Sequence, residues 1–247
     1  MPKKKDFFDL DDLSTLKLIF SAKNQEQQNL LTAFENNDII LVKGSPGSGK
    51  TFLSVAFALR QLVNREANHI IITRPVVEAG EKLGYLPGNM YEKIDPYLMP
   101  IYESINQLTP PGVLQKLLFR DHHEAIIRII PLAYMRGTTL DNSIIICDEM
   151  QNSTPEQVRM LLTRIGKQSK IIACGDTKQS DILVYNGLDD AFEILKGIEG
   201  IGFVELTELA IVRHPIIVEI EKRYEEKKLN GRREDKSTSK TKTIRAA

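Results

Sequence analysis

The stretch Ile39-Ile40-Leu41-Val42-Lys43-Gly44-Ser45-Pro46-Gly47-Ser48-Gly49-Lys50-Thr51-Phe52-Leu53-Ser54-Val55-Ala56 decides the fold. An aliphatic, β-branched run enters a glycine-rich turn, and the turn opens into residues that form helices well. Residues Gly44, Ser45, Pro46, Gly47, Ser48, Gly49, Lys50 and Thr51 match G-x-x-x-x-G-K-[ST] without a mismatch. In a strand–turn–helix setting this pattern is a phosphate cradle. The glycines let backbone N–H groups close around a polyphosphate at the positive end of the helix, Lys50 supplies a point charge, and Thr51 supplies a hydroxyl ligand for Mg²⁺.

Working outward, short β-rich runs recur at 39–43, 69–73, 125–130, 143–147, 170–174 and 202–206. Helical stretches follow several of them, at 155–165, 188–195 and 215–228, and another helix precedes the first run from Asn24 to Phe34. This alternation predicts an α/β core, a mostly parallel sheet flanked by helices. Prolines crowd the segment between the second and third runs, from Pro75 through Pro87, Pro96 and Pro100 to Pro110-Pro111, and mark a long insertion of the kind that carries function. The expected organisation is an arm over 1–23, one nucleotide-binding domain over 24–228, and a basic tail over 229–247 with almost nothing to bury, expected to stay disordered.

Composition narrows the choice. At 247 residues and 42% hydrophobic content the chain can bury one sizeable core. Lys+Arg and Asp+Glu number 33 each, so nucleic-acid binding would need a local patch. Cys147 and Cys174 close apolar runs with no spacing that suggests a disulfide framework or a zinc site, and the four histidines lack metal-ligand company. No run approaches the ~18 apolar residues of a membrane helix, and no signal-type segment follows Met1, so a cytoplasmic protein is expected.

The run Ile144-Ile145-Ile146-Cys147-Asp148-Glu149 ends a hydrophobic strand in two carboxylates. The first would hold Mg²⁺ with Thr51 and the second would act as general base toward a water. That pairing favours hydrolysis of ATP, with phosphoryl transfer to a small acceptor a weaker reading. The next apolar run leads to Gly175-Asp176-Thr177-Lys178-Gln179, which places Gln179 to sense a γ-phosphate and Gln151 to link that state to a neighbouring element. Gln25 is a candidate to read the adenine edge, with Gln27 and Gln28 as competing amides. Arg213, in Val212-Arg213-His214-Pro215, could reach a γ-phosphate as an arginine finger, an effect worth ~10³–10⁵ in rate.

These residues together resemble the PhoH-like proteins, phosphate-loop ATPases related to the cores of superfamily 1 helicases. The resemblance runs from about Asn24 to Tyr224. Beyond the phosphate loop it rests on Thr73-Arg74-Pro75-Val76-Val77-Glu78-Ala79-Gly80-Glu81-Lys82-Leu83-Gly84-Tyr85-Leu86-Pro87-Gly88, Leu132-Ala133-Tyr134-Met135-Arg136-Gly137, Asp148-Glu149-Met150-Gln151-Asn152 and Val212-Arg213-His214-Pro215. It implies a RecA-like core, homohexameric rings with ATP between subunits, Arg213 acting in trans, and Arg74, Glu81 and Arg136 at interface or nucleic-acid contacts. It further implies an association with phosphate starvation and with single-stranded RNA or DNA as partner. Ala210 departs from the family pattern, which commonly has an acid there. The competing expectation is an ATP-gated assembly or regulatory module with no motor activity.

Overall fold

The computed structural model describes residues 13, 16–75, 95–118, 125–180, 185–212, 216, 219, 220, 223 and 224. The unit that contains the sheet extends to Ile211, and residues from Val212 onward form a separate unit. In that second unit Glu219 and Arg223, four apart, form an ion pair.

Among the described residues six strands form one sheet, β1 (Ile39–Gly44), β2 (His69–Thr73), β3 (Ile127–Ile129), β4 (Ser143–Cys147), β5 (Lys170–Gly175) and β6 (Ile201–Leu206), in the order β3-β2-β4-β5-β1-β6. Every adjacent pair is parallel, where the sequence led us to expect a mostly parallel sheet. The strands read as continuous apolar runs because both faces are covered. Ile40, Val42, Ile70, Ile72, Ile144, Ile146 and Ile172 face one core, and Leu41, Ile71, Ile145, Cys147, Ile171 and Ala173 face the other. The strict alternation is the two-residue period of a pleated strand.

On the first face lie α1 (Gln25–Asn36), α2 (Lys50–Val63), α3 (Met99–Leu108) and α4 (Val113–Leu118). Phe34 of α1 meets Phe57 of α2 with ring centroids 5.1 Å apart. Both rings are fully buried, and burial of this kind stabilises by about 1.5–3 kcal/mol per side chain. The opposite face is covered by α5 (Pro155–Leu162) and α6 (Gly187–Ile194). Thr154 caps α5 in a reciprocal capping box with Gln157, and Asn186 caps α6 through Asp189 N–H at 2.8 Å. The expected helix over 155–165 stops at Leu162. There the chain turns, and Ile165 bridges Leu140 in extended form, with Leu140 N–H on the Arg164 carbonyl and Gly166 N–H on the Leu140 carbonyl.

The described half of the proline-rich insertion is helical, a 3-10 turn at Asp95–Leu98 followed by α3 and α4. Residues 1–12, 14 and 15 of the expected arm, residues 76–94 of the insertion, the tail over 229–247 and most of the helix over 215–228 fall outside the described residues. The strand that carries the phosphate loop lies one strand away from the one that ends in acids, with β5 between them. This is the RecA-like α/β arrangement. It brings the turns after β1, β4 and β5 to one edge, where ligands of open parallel sheets bind.

Candidate functional site

The phosphate loop follows β1 directly. Gly47 and Gly49 have φ of 80° and 90°, values at which a side chain would be strained, and Gly49 is the N-cap of α2. A Cβ on Gly49 would also come within 2.9 Å of Gln27 Nε2. Ser48 folds back, its hydroxyl donating to the Ser45 carbonyl at 2.8 Å. The Lys50 ammonium donates to the carbonyls of Gly44 and Ser45 at 2.6 and 3.0 Å, so the lysine lies over the loop it starts from.

The two halves of the sequence motif meet at Thr51. Its hydroxyl donates to the Asp148 carboxylate, at 3.1 and 3.3 Å to the two oxygens. Asp148 is buried, which pushes its carboxyl pKa up, and the neighbouring Glu149 pushes it further; Arg74, Lys50 and the Thr51 hydrogen bond oppose the shift. A buried carboxylate beside a second carboxylate favours a cation. Among the described residues no group of three or more His, Cys, Asp or Glu side chains could hold a metal. Thr51 and Asp148 set two hard oxygens side by side, a donor set that fits Mg²⁺, an ion that takes its remaining ligands from phosphate and water.

Glu149 stands in the left-handed region, φ 58° and ψ 33°. Its carboxylate is held on both sides: Gln151 Nε2 donates to one oxygen at 2.6 Å, and the other lies 3.6 Å from an Arg74 guanidinium nitrogen. The Gln151 side-chain oxygen accepts the Asp176 N–H at 3.0 Å, which ties the acidic pair to the turn after β5. Gly175 makes room for this link, since a Cβ there would come within 2.7 Å of that same oxygen. Gln151 thus joins the turns after β4 and β5. Gln179 is exposed on the Thr177–Gln179 turn that follows.

The amides of the N-terminal helix separate into two roles. Gln25 is exposed and its side chain donates to Asn29. Gln27 is buried: it accepts the Lys23 N–H at 2.9 Å and donates to the Ser48 carbonyl at 2.9 Å, supporting the phosphate loop from behind. Asn24 starts that arrangement by capping α1, its side chain accepting the Gln27 N–H. Ala210, at the position where an acid was expected, is fully buried and contributes its carbonyl to the Asn24 and Gln27 amides. Arg136 is exposed, and Arg213 and Glu81 lie outside the described residues.

Three residues mattered more than sequence reasoning suggested. The resemblance implies interface or nucleic-acid contacts for Arg74, and the structure adds a contact with Glu149, 75 positions away in sequence. Gln27 competes with Gln25 and Gln28 as an amide in the sequence, and its spacing of three from the capping Asn24 singles it out. Gly175 heads the string that leads to Gln179, and its space for the Gln151 side chain shows only in the fold. Cys147 and Cys174 are fully buried free thiols, with burial and the nearby Asp148 pushing Cys174 up to about 12. His69 packs at the far end of the sheet against Arg128 and the Ala125 carbonyl. Among the described residues no helix is long and apolar enough to cross a membrane.

The PhoH family, described as PhoH-like protein, matches residues 19–225. The PhoH-like protein of Bacillus subtilis is 45% identical over 206 residues, 83% of this chain and 63% of that protein. That of Synechocystis is 43% identical over 209 residues, covering 84% of this chain and 62% of the relative. The chain thus spans about three-fifths of the length of these curated relatives. Among solved structures, the N-terminal domain of the DNA packaging ATPase from bacteriophage phi29 superposes with a TM-score of 0.41 at 15% identity, over 75% of this chain and 96% of that one. With the phosphate loop, the acidic strand end and the family-specific strings all inside the matched span, the chain belongs to the PhoH-like protein family.

Proposed function

We propose that this protein is a Mg²⁺-dependent ATPase that works as a homo-oligomeric ring on single-stranded RNA or DNA. The observation that supports it most is the Thr51–Asp148 contact, which joins the phosphate loop to the acidic strand end. The backbone N–H groups of the phosphate loop, Pro46 having none, and those at the start of α2 bind the phosphates, and Lys50 exchanges its loop carbonyls for phosphate oxygens. Thr51 and Asp148 would hold Mg²⁺, which would neutralise phosphate charge. Glu149 takes a proton from water as that water's oxygen bonds to the γ-phosphorus. The bond from the γ-phosphorus to the bridging oxygen breaks, leaving ADP and inorganic phosphate. Gln179 senses the γ-phosphate, and Gln151 carries its state to Glu149.

The ring follows from chemistry that one sheet cannot complete alone. Arg213, acting across a subunit boundary, would supply the second cation that balances charge during transfer. Gripping a strand between two cores likewise needs a second copy of the chain.

The test is ATP hydrolysis by the purified protein with and without single-stranded RNA, alongside its mass in solution with and without ATP. We expect Mg²⁺-dependent turnover that RNA stimulates, falling with salt. ATP-dependent assembly without turnover would instead establish the regulatory-module reading and overturn the motor.

A further inference from the structure

Glu149 has two restraints of different character. Gln151 is a fixed arm: its side-chain oxygen holds the Asp176 N–H, its backbone carbonyl accepts the Ser180 hydroxyl at 3.0 Å, and it packs against Gly175. Arg74 is a partly exposed arm, with its side chain 21% accessible. One of its terminal nitrogens lies by Glu149, and the other donates to the Tyr97 carbonyl at 2.7 Å. Its guanidinium carbon is 5.7 Å from the centroid of the Tyr97 ring, and that ring is 39% exposed. One cation therefore spans the carboxylate and the turn that begins α3.

We propose that Arg74 restrains Glu149, and that a phosphate of a single-stranded nucleic acid, drawing Arg74 toward itself, releases the carboxylate for hydrolysis. This rests on the reading of Glu149 as general base. A guanidinium is a bidentate phosphate binder, and a phosphate competes with a carboxylate for the same fork of N–H groups. An exposed aromatic ring beside an arginine is the pairing by which single strands are held, base on ring and backbone on cation. A carboxylate oxygen engaged by a guanidinium has one fewer lone pair to offer a water. Taking Arg74 away thus leaves Glu149 on the Gln151 arm among the described residues, and occupancy of the strand contact is reported directly to the catalytic acid. Arg74 is here a positioning residue, since it acts through Glu149.

The experiment measures steady-state ATP hydrolysis, ATP affinity and melting temperature for the wild type, Arg74→Gln and Tyr97→Ala, each with and without a single-stranded oligouridine. Arg74→Gln should raise basal kcat about two- to fivefold, the range for letting go of an ion pair this exposed, with ATP affinity retained. Oligouridine should then add no further stimulation. Tyr97→Ala should raise the oligouridine concentration needed for half-maximal stimulation. If Arg74→Gln lowers the melting temperature, Arg74→Lys makes the same comparison, because an ammonium lacks the planar fork that spans both partners. Wild-type hydrolysis together with an Arg74→Gln basal rate at or below wild type, or with undiminished stimulation, overturns the restraint and leaves the ATPase reading standing. Absence of hydrolysis in the wild type overturns that reading and the restraint with it.

Discussion

At the carboxyl ends of its strands the sheet carries Glu149 in the left-handed region, and at the amino ends it carries Arg65, Asn142 and Gln168 in the same region. Each such residue costs about 1–2 kcal/mol relative to a right-handed conformation. At the amino edge the distortion serves chain connection. Asn142 offers its carbonyl to the N–H groups of Asn68 and His69 and its own N–H to the Lys167 carbonyl, and the Ser169 hydroxyl closes on Leu140. A cavity of 570 Å³ lies there, lined by Arg65, Asn142 and Gln168 among others. At the carboxyl edge the strained residue instead brings its side chain between a guanidinium and an amide, next to a buried carboxylate. Backbone strain therefore does not by itself mark a functional site; strain that gathers opposite charges at the phosphate loop does.

The comparison can be broken most sharply at Glu149. Glu149→Gln keeps the size and the Gln151 neighbour but removes the base, and it should lower kcat about 10²- to 10⁴-fold while ATP binding persists. Turnover near the wild-type value would place the chemistry elsewhere. The next largest effect belongs to Gly175→Ala, whose methyl group would press on Gln151 and on Leu188 Cδ2 at 2.7 Å. We expect a loss of about 1–3 kcal/mol in stability, read from denaturant unfolding, and a fall in hydrolysis with it. A variant with both properties intact would remove Gln151 as the link between the acids and the β5 turn.

At the other edge the same kind of change should be harmless. Gln168→Gly relieves a left-handed residue at the expense of chain entropy, a net gain of about 0.5 kcal/mol, or about 1–2 °C in Tm, with kcat unchanged. A drop in hydrolysis would mean that the amino edge takes part in function. The smallest effect concerns His69, whose pKa burial and then Arg128 hold below the usual 6.5, the Ala125 carbonyl opposing. The unfolded chain thus binds more protons just below pH 6.5, so stability is fully present above that pH and is lost as pH falls through 6.5 toward the folded value. His69→Gln should flatten that part of the Tm–pH curve and leave the curve above pH 7 unaltered.

Much of this was legible in the residues. The strands announce themselves because each is buried on both faces and reads as an unbroken aliphatic run, and the phosphate loop because its chemistry demands glycines at fixed spacing. The end of α5 was not legible. Its helical pattern continues past Leu162, and what stops it is a tertiary bridge between Ile165 and Leu140. Nor was the helical half of the insertion, whose prolines at 96 and 100 sit in the first turns of their helices, where a missing N–H costs nothing. In the site, the meeting of Thr51 with the acidic strand end at Asp148 could be expected from local pattern. The Arg74–Glu149 pairing could not, because it depends on β2 and β4 ending side by side, with Thr73 opposite Cys147.

Hydrogen–deuterium exchange with and without Mg²⁺ and a non-hydrolysable ATP analogue tests the contrast between the two edges most directly. We predict slowed exchange in peptides covering 44–51 and 148–151, with those covering 65–68 and 166–170 unaffected. Protection confined to the amino-edge peptides would contradict the account.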